Sequence, residues 1–451
     1  MRMSRSGVLA GFAAALTLAA TGCGGDDSAD SGGNGGGAAT SVHRTVRLPD
    51  LKGQKLEVAA VWTGPEQQNF LKVLKEFESR TGASVRFVPT GDNVSTFLGT
   101  KIEGGRPPDV AFLPQPGVLR QFAAKGWLKP LGPSAQAQLA KNFSKGWRDL
   151  GAVDGKQYGV YAKAANKSLV WYNTTAFENA GISRPPTTWA EFLKSAETLF
   201  ESGIPPVSVG GSDAWTLTDW FENIYLSQAG PEKYDQLAAH RIKWTDPSVR
   251  DALTTLAQLF GNKNLIAQGA LRTDFPKSVT QTFTGDPSGA AMVYEGDFVG
   301  AFIRANTKAE LGKDVKVFPF PAVGGGEAPV VSGGDVAVAL RDSRGAQALM
   351  TFLASTDTAQ VWASSGGYVS PNRRLPLNSY PDAISRSIAR ALITAGDDFR
   401  FDMSDQAPAA FGGTAGKGEG KALQDFLSNP RSIAATQTKL EADAAKAYAN
   451  G

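Results

Sequence analysis

Residues 55–113 run KLEVAAVWTGPEQQNFLKVLKEFESRTGASVRFVPTGDNVSTFLGTKIEGGRPPDVAFL, and the order of elements in this stretch decides the fold. Residues 55–61 read as an apolar strand. Thr63, Gly64, Pro65 and Glu66 then offer a capping residue, a proline for the first turn and an acid three residues after the cap, which together start a helix. Phe70, Val73, Leu74 and Phe77 fall at i, i+3, i+4 and i+7, and Thr81-Gly82 ends the run, so one stripe of this helix faces a sheet. Residues 83–88 form the next strand. Asp92 is placed to cap a second helix with Val94, Phe97, Leu98 and Ile102 inward, and 109–113 is a third strand. The order β-α-β-α-β predicts a parallel sheet.

Ligands of such sheets sit beyond the carboxyl ends of the strands. The loops there contain Trp62 and Glu66, then Asp92, then Gln115, so the first expectation is a ligand site facing them. Trp62 also reads as a ring half-buried at a strand end, and Asp92 as a plain helix cap.

Outward from this stretch, residues 155–163 and 168–173 are strand-like and joined by polar residues, which suits a passage between two lobes. Residues 187–259 are mainly helical, with Pro185-Pro186-Thr187-Thr188 before one helix and Asp246-Pro247 before another. Residues 289–294 and 335–340 are two further apolar strands far from the first sheet in sequence, so the lobes are discontinuous. The Ala-rich last third ends in a helix over 432–448.

The 451 residues, 42% of them apolar and 20% charged, suffice for more than one core and exclude disorder along the whole length. Net charge is +3, or +1 once Arg2 and Arg5 are removed with a signal segment, which leaves no basic balance for nucleic acid. One cysteine cannot form an intramolecular disulfide, and His43 and His240 cannot supply a three-histidine or Cys/His metal site. No cofactor is expected. Beyond about residue 20, no run approaches the ~18 apolar residues of a membrane-spanning helix.

The N-terminus reads as an address. Arg2 and Arg5 precede an apolar stretch over 8–20, and small residues stand before Cys23, the layout of a secretory signal. Ala20-Thr21-Gly22-Cys23 resembles a bacterial lipobox, with Ala20 where the pattern prefers leucine; the resemblance implies lipidation of Cys23 and cleavage before it. Residues 24–40 are rich in Gly with Ser, Asp and Asn, a flexible tether.

The order of further motifs resembles extracellular solute-binding proteins of ATP-binding-cassette importers for sugars. These motifs are Glu76-Phe77-Glu78 before Thr81-Gly82, Pro107-Pro108-Asp109-Val110, Gly126-Trp127-Leu128-Lys129-Pro130-Leu131 and Tyr158-Gly159-Val160. Pro114-Gln115-Pro116-Gly117, residues 167–173, Thr218-Asp219-Trp220 and Phe399-Arg400-Phe401-Asp402 look like the alpha-glucoside-binding branch. The resemblance implies an α/β, two-lobed periplasmic-binding-protein-like fold whose discontinuous lobes are joined by a three-segment hinge. Its passages are expected at 163–167, around 289–293 and at Gly333-Gly334-Asp335. Expected boundaries are a lipoprotein signal over 1–22, a tether over 23–44, an N-terminal lobe from 45–163 plus about 292–334, and a C-terminal lobe from 164–291 plus about 335–451. The implied protein is a monomeric, lipid-anchored receptor on the extracellular face of the cell membrane. It captures a carbohydrate, an alpha-glucoside oligosaccharide on the branch resemblance, and delivers it to membrane permease subunits.

Sugars present apolar C–H faces and many hydroxyls, so aromatic rings with carboxylates, amides and a few cations among them suit the task. The candidate ligand-binding set is Trp62, Glu66, Asp92, Gln115, Lys163, Trp215, Asp219, Trp220, Tyr294, Glu295, Asp297, Gly334, Asp335 and Arg400. Trp62, Trp215 and Trp220 are expected to stack, the carboxylates to accept from hydroxyls, and Gln115, Lys163 and Arg400 to donate. No G-x-S-x-G elbow and no P-loop occurs, and His240 lies in a polar stretch. The alternative is a secreted glycosidase, which needs only two suitably spaced carboxylates.

Overall fold

A computed structural model describes residues 45–285, 288–395, 399–413 and 416–449. The expected signal segment over 1–22 and the expected tether over 23–44, Cys23 included, lie outside the described residues. The opening stretch folds as its pattern dictates: β1 (Lys55–Ala60), the helix Gly64–Thr81, β2 (Ser84–Pro89), the helix Val94–Glu103 and β3 (Val110–Leu113). β1 pairs in parallel with β2 on one side and β3 on the other. The stripe Phe70, Val73, Leu74 and Phe77 is buried, and Gly82 in the left-handed conformation ends the first helix. Asn93 rather than Asp92 stands at the N-cap position of the second helix, without a side-chain capping bond, and Asp92 is partly exposed.

After the short hairpin β4 (Ala152–Val153) and β5 (Lys156–Gln157), β6 (Gly159–Asn166) joins this first sheet. β7 (Leu169–Asn173), β8 (Val207–Ser208), β9 (Met292–Tyr294) and β10 (Val315–Pro319) make a second sheet in the order β10-β7-β9-β8. β11 (Val331–Ala339) returns to the first, antiparallel to both β6 and β3, and β12 (Arg400–Phe401) runs parallel to its start. The first sheet is therefore mixed: β1, β2 and β3 are parallel to one another, β11 and β12 are parallel to each other, and β11 is antiparallel to β3 and β6.

The two sheets nucleate two apolar cores. The chain passes between the sheets at Lys167 and Ser168, over 320–330, and at Asp402 after β12. Two expected boundaries are corrected. Residues 292–294 and 315–319 belong to the second sheet, because β9 pairs with β7 and β8, and β10 with β7. The expected passage around 289–293 consequently lies inside the second lobe. Most of 335–395 belongs to the first lobe: β11 is buried along its whole length and bonded on both sides, and the helices Arg344–Leu353 and Thr356–Ala363 pack in the first core. An apolar run buried on both faces has to lie inside a sheet.

Two local arrangements matter below. The buried carboxylate of Asp357 takes the first described residues: it accepts from Thr45 N at 2.8 Å, Thr45 Oγ1 at 2.6 Å and Val46 N at 3.3 Å, and pairs with Arg80 at 2.7 Å. The second is a seam between lobes. A Cβ on Gly117, at the start of the helix Pro116–Ala124, would lie 2.0 Å from Ala407 O, and one on Gly413 would lie 2.6 Å from Gln115 Oε1. Arg120 also donates to Gln406 O.

Candidate functional site

The first lobe builds one charged group around Lys163. The residue sits on β6 and is buried, and its Nζ lies 2.7 Å from Glu66 Oε1 and 3.5 Å from Asp335 Oδ2. Glu66 stands in the first turn of the helix Gly64–Thr81, and Asp335 stands on β11 opposite Lys163 in register. The ammonium also lies 5.6 Å from the Trp62 ring and 5.5 Å from the Phe298 ring. Burial works against its charge, but the carboxylates of Glu66, Asp335 and Asp297 outweigh burial and hold its pKa above the usual lysine range. Asp297 accepts from Asn166 N at 2.8 Å, and burial pushes its carboxyl up to about 7 against the pull of Lys163.

A second group surrounds Lys167 where the chain leaves β6. Its Nζ lies 3.2 Å from Asp219 Oδ1 and 3.6 Å from Asp405 Oδ2, and is bonded to Asp402. The Trp215 ring centre is 5.7 Å away. All these acids are desolvated, yet they divide. Asp402 also accepts from Ser404 Oγ at 2.8 Å and Asp405 N at 2.9 Å and keeps its charge, its pKa lowered to about 2 despite burial. Asp219 is pushed up to about 8, and burial and then Asp219 raise Glu295 well above the carboxylate range.

Asp92, partly exposed in the loop after β2, has its carboxyl raised by partial desolvation and then by Asp213 and Glu66. That coupling places a first-lobe and a second-lobe carboxylate in one field. Trp215, half-buried at the start of the helix Trp215–Ala238, has ring centres of Phe275 at 5.5 Å and Phe298 at 6.0 Å. Phe298 thus bridges the surroundings of both lysines.

The structure brings together Glu66, Asp92, Lys163, Trp215, Asp219, Glu295, Asp297 and Asp335. Other expected residues stand elsewhere. Trp220 is 1% exposed, with Tyr294 at 4.4 Å and Phe320 at 5.6 Å, so its ring belongs to the second core and offers no stacking face. Trp62 is 3% exposed among Phe70, Phe112 and Trp362, and forms floor rather than platform. Tyr294 is buried, and its hydroxyl donates to Lys167 O at 2.7 Å. Gln115 faces Gly413 at the seam, and Arg400 pairs with Asp235 at 2.9 Å, beyond the break at Gly230 in the helix Trp215–Ala238. Gly334 is required where it is, because a Cβ there would stand 2.8 Å from Lys163 O. Sequence reasoning missed Lys167, Asp213, Phe298, Asp402 and Asp405. The spacing of Lys167 from Lys163 at a lobe passage was the available signal for the first of these.

Carboxylates, two ammonium groups and a half-buried indole bring hydrogen-bond acceptors, donors and an apolar face together, with most of the charged groups buried. His240 is placed away from it, 3.3 Å from Glu441 and stacked on Tyr448. Among the described residues, no group of three His, Cys, Asp or Glu side chains is arranged to hold a metal ion, and no helix is long and apolar enough to cross a membrane.

Known proteins share this architecture. The solved structure of the bacterial solute receptor AcbH, described as preferring β-D-galactopyranose, superposes with a TM-score of 0.76 at 20% identity, covering 88% of this chain and 99% of that one. The raffinose complex of RafE superposes with a TM-score of 0.69 at 17% identity, covering 86% and 99%. At such identities the likeness speaks for the two-lobed fold. Sequence relatives are nearer. The osmoprotective compounds-binding protein GgtB of Synechocystis sp. is 35% identical over 368 residues, 80% of this chain and 86% of its own. The alpha-glucosides-binding periplasmic protein AglE of Rhizobium meliloti is 30% identical over 383 residues, 81% and 82%. The sequence pattern of the bacterial extracellular solute-binding proteins matches residues 63–360, and with the fold and these relatives it makes this chain a member of that family.

Proposed function

We propose that the protein is the substrate-binding component of an ATP-binding-cassette sugar importer and that its ligand is a neutral alpha-glucoside-type oligosaccharide. The observation that carries this reading is the half-open Trp215 ring set between Lys167 and the carboxylates of both lobes. A ring offers its face to sugar C–H groups, and carboxylates accept from hydroxyls while repelling phosphates and uronates. The names of the relatives GgtB and AglE point the same way, to osmoprotective compounds and alpha-glucosides.

On this reading the ligand is captured between the lobes, which close over it and present it to membrane permease subunits. The body acts as a monomer without catalysis, held at the outer face of the cell membrane by lipid on Cys23. Titration calorimetry with maltose, sucrose, trehalose and maltotriose tests the proposal. Saturable binding of at least one, with no release of reducing ends, is expected. Heat of dilution alone across the panel overturns the glucoside assignment.

A further inference from the structure

We propose that Ala214 is a positioning residue, holding a strained turn that keeps the Trp215 ring fixed in the cleft before any ligand arrives. The inference rests on the reading of Trp215 as a ligand contact. Ala214 has φ 64° and ψ −48°, and Trp215 N donates to Asp213 O at 2.7 Å. This is a three-residue γ-turn with its central residue at positive φ, the rare and strained form. Glycine adopts such a conformation without a Cβ penalty, and this chain has alanine there.

Strained backbone persists where its surroundings over-determine it, and such places cluster at binding sites. The turn is held on every side. Ser212 N donates to Thr273 O at 3.0 Å, and Gln424 Nε2 to Gly211 O at 2.9 Å. Asp213 Oδ2 accepts from Phe275 N at 2.8 Å, and Thr216 Oγ1 donates to Gly210 O at 2.8 Å. The Ala214 methyl lies against Gly420, where an added Cβ would come within 3.0 Å of it. The outcome is an indole aimed between Phe275, Phe298 and Lys167. A platform already immobile loses little rotamer freedom when a ligand lands, and affinity gains from that preorganisation.

Ala214→Gly removes the Cβ that suffers the strain and leaves the cleft chemistry untouched. Protein labelled with 5-fluorotryptophan gives a fluorine resonance for Trp215, assigned by its loss in Trp215→Phe. The expected result is a melting temperature equal to or above that of the parent, together with a Trp215 line that broadens or splits. A lowered melting temperature, or an unchanged Trp215 line, overturns the proposal without any ligand being present. With maltotriose as probe, Ala214→Gly is expected to weaken binding roughly 3- to 10-fold, mostly through faster dissociation. If Trp215→Ala weakens maltotriose and Ala214→Gly does not, the positioning role fails and the site reading stands. If Trp215→Ala leaves maltotriose binding as in the parent, or maltotriose does not bind at all, the site reading fails and the fluorine line alone judges the turn.

Discussion

Lys163 lies within β6 and Lys167 stands four residues on, where the chain leaves the first sheet for the second, and each ammonium is held by carboxylates of a different lobe. Glu66 and Asp335 take the first, Asp219, Asp402 and Asp405 the second. The chain is therefore fastened electrostatically to both lobes as it leaves the first sheet, and either lysine is the counter-charge for several buried acids.

Lys163→Met tests that dependence. It leaves Glu66, Asp335 and Asp297 without their cation, and breaking a buried pair from one side costs about 3–5 kcal/mol. The urea midpoint is expected to fall markedly. A midpoint within error of the parent would show that the acids do not need Lys163.

The three tryptophans first expected to stack should separate into two kinds. Trp62→Ala and Trp220→Ala remove buried rings, and each should lower stability by about 3–5 kcal/mol. Trp215→Ala should leave the melting temperature nearly intact and weaken the bound sugar by about 1–3 kcal/mol, read by calorimetry. Loss of affinity at Trp220 with full stability would contradict its placement in the second core.

Asp297 supplies a pH signature. Its carboxyl holds a proton up to about pH 7 in the folded chain, while the ordinary value is 3.8. Between these values the folded state binds more protons than the unfolded one, so this residue makes stability fall as pH rises towards 7. Asp297→Asn should flatten the urea midpoints measured from pH 5 to 8. A variant whose midpoints slope as steeply as those of the parent would count against this.

Much of the fold was legible because periodicity and turn chemistry are local. Phe70, Val73, Leu74 and Phe77 announce their stripe without reference to anything distant. The destination of β11 was not legible, since Val336 to Ala339 read as an apolar strand whichever sheet receives them, and only long-range pairing with β3 and β6 decides. The site divided in the same way. Glu66 and Asp92 follow from lying at strand ends, whereas Trp215 and Trp220 share one helix, and which indole faces the cleft depends on packing against Phe275 or Phe320.

Gly117 offers a test of the seam. A methyl group there collides with Ala407 O unless the lobes move apart. Gly117→Ala is expected to enlarge the radius of gyration in small-angle scattering and to weaken sugar binding. An unchanged radius and affinity would show that the seam yields without separating the lobes.

For the N-terminus, Cys23→Ser should shift the protein from the membrane fraction to the medium, followed by immunoblot of cell fractions. Retention of the variant in the membrane fraction would dismiss lipid anchoring.

The grip of Asp357 and Arg80 on Thr45 and Val46 has a mechanical consequence. A pull transmitted through the chain ahead of Thr45 is delivered to the helices Gly64–Thr81 and Thr356–Ala363, far along the sequence from Lys167, the 320–330 segment and Asp402. A load applied there is thus received by helices of the first lobe and not by the segments that pass between the lobes.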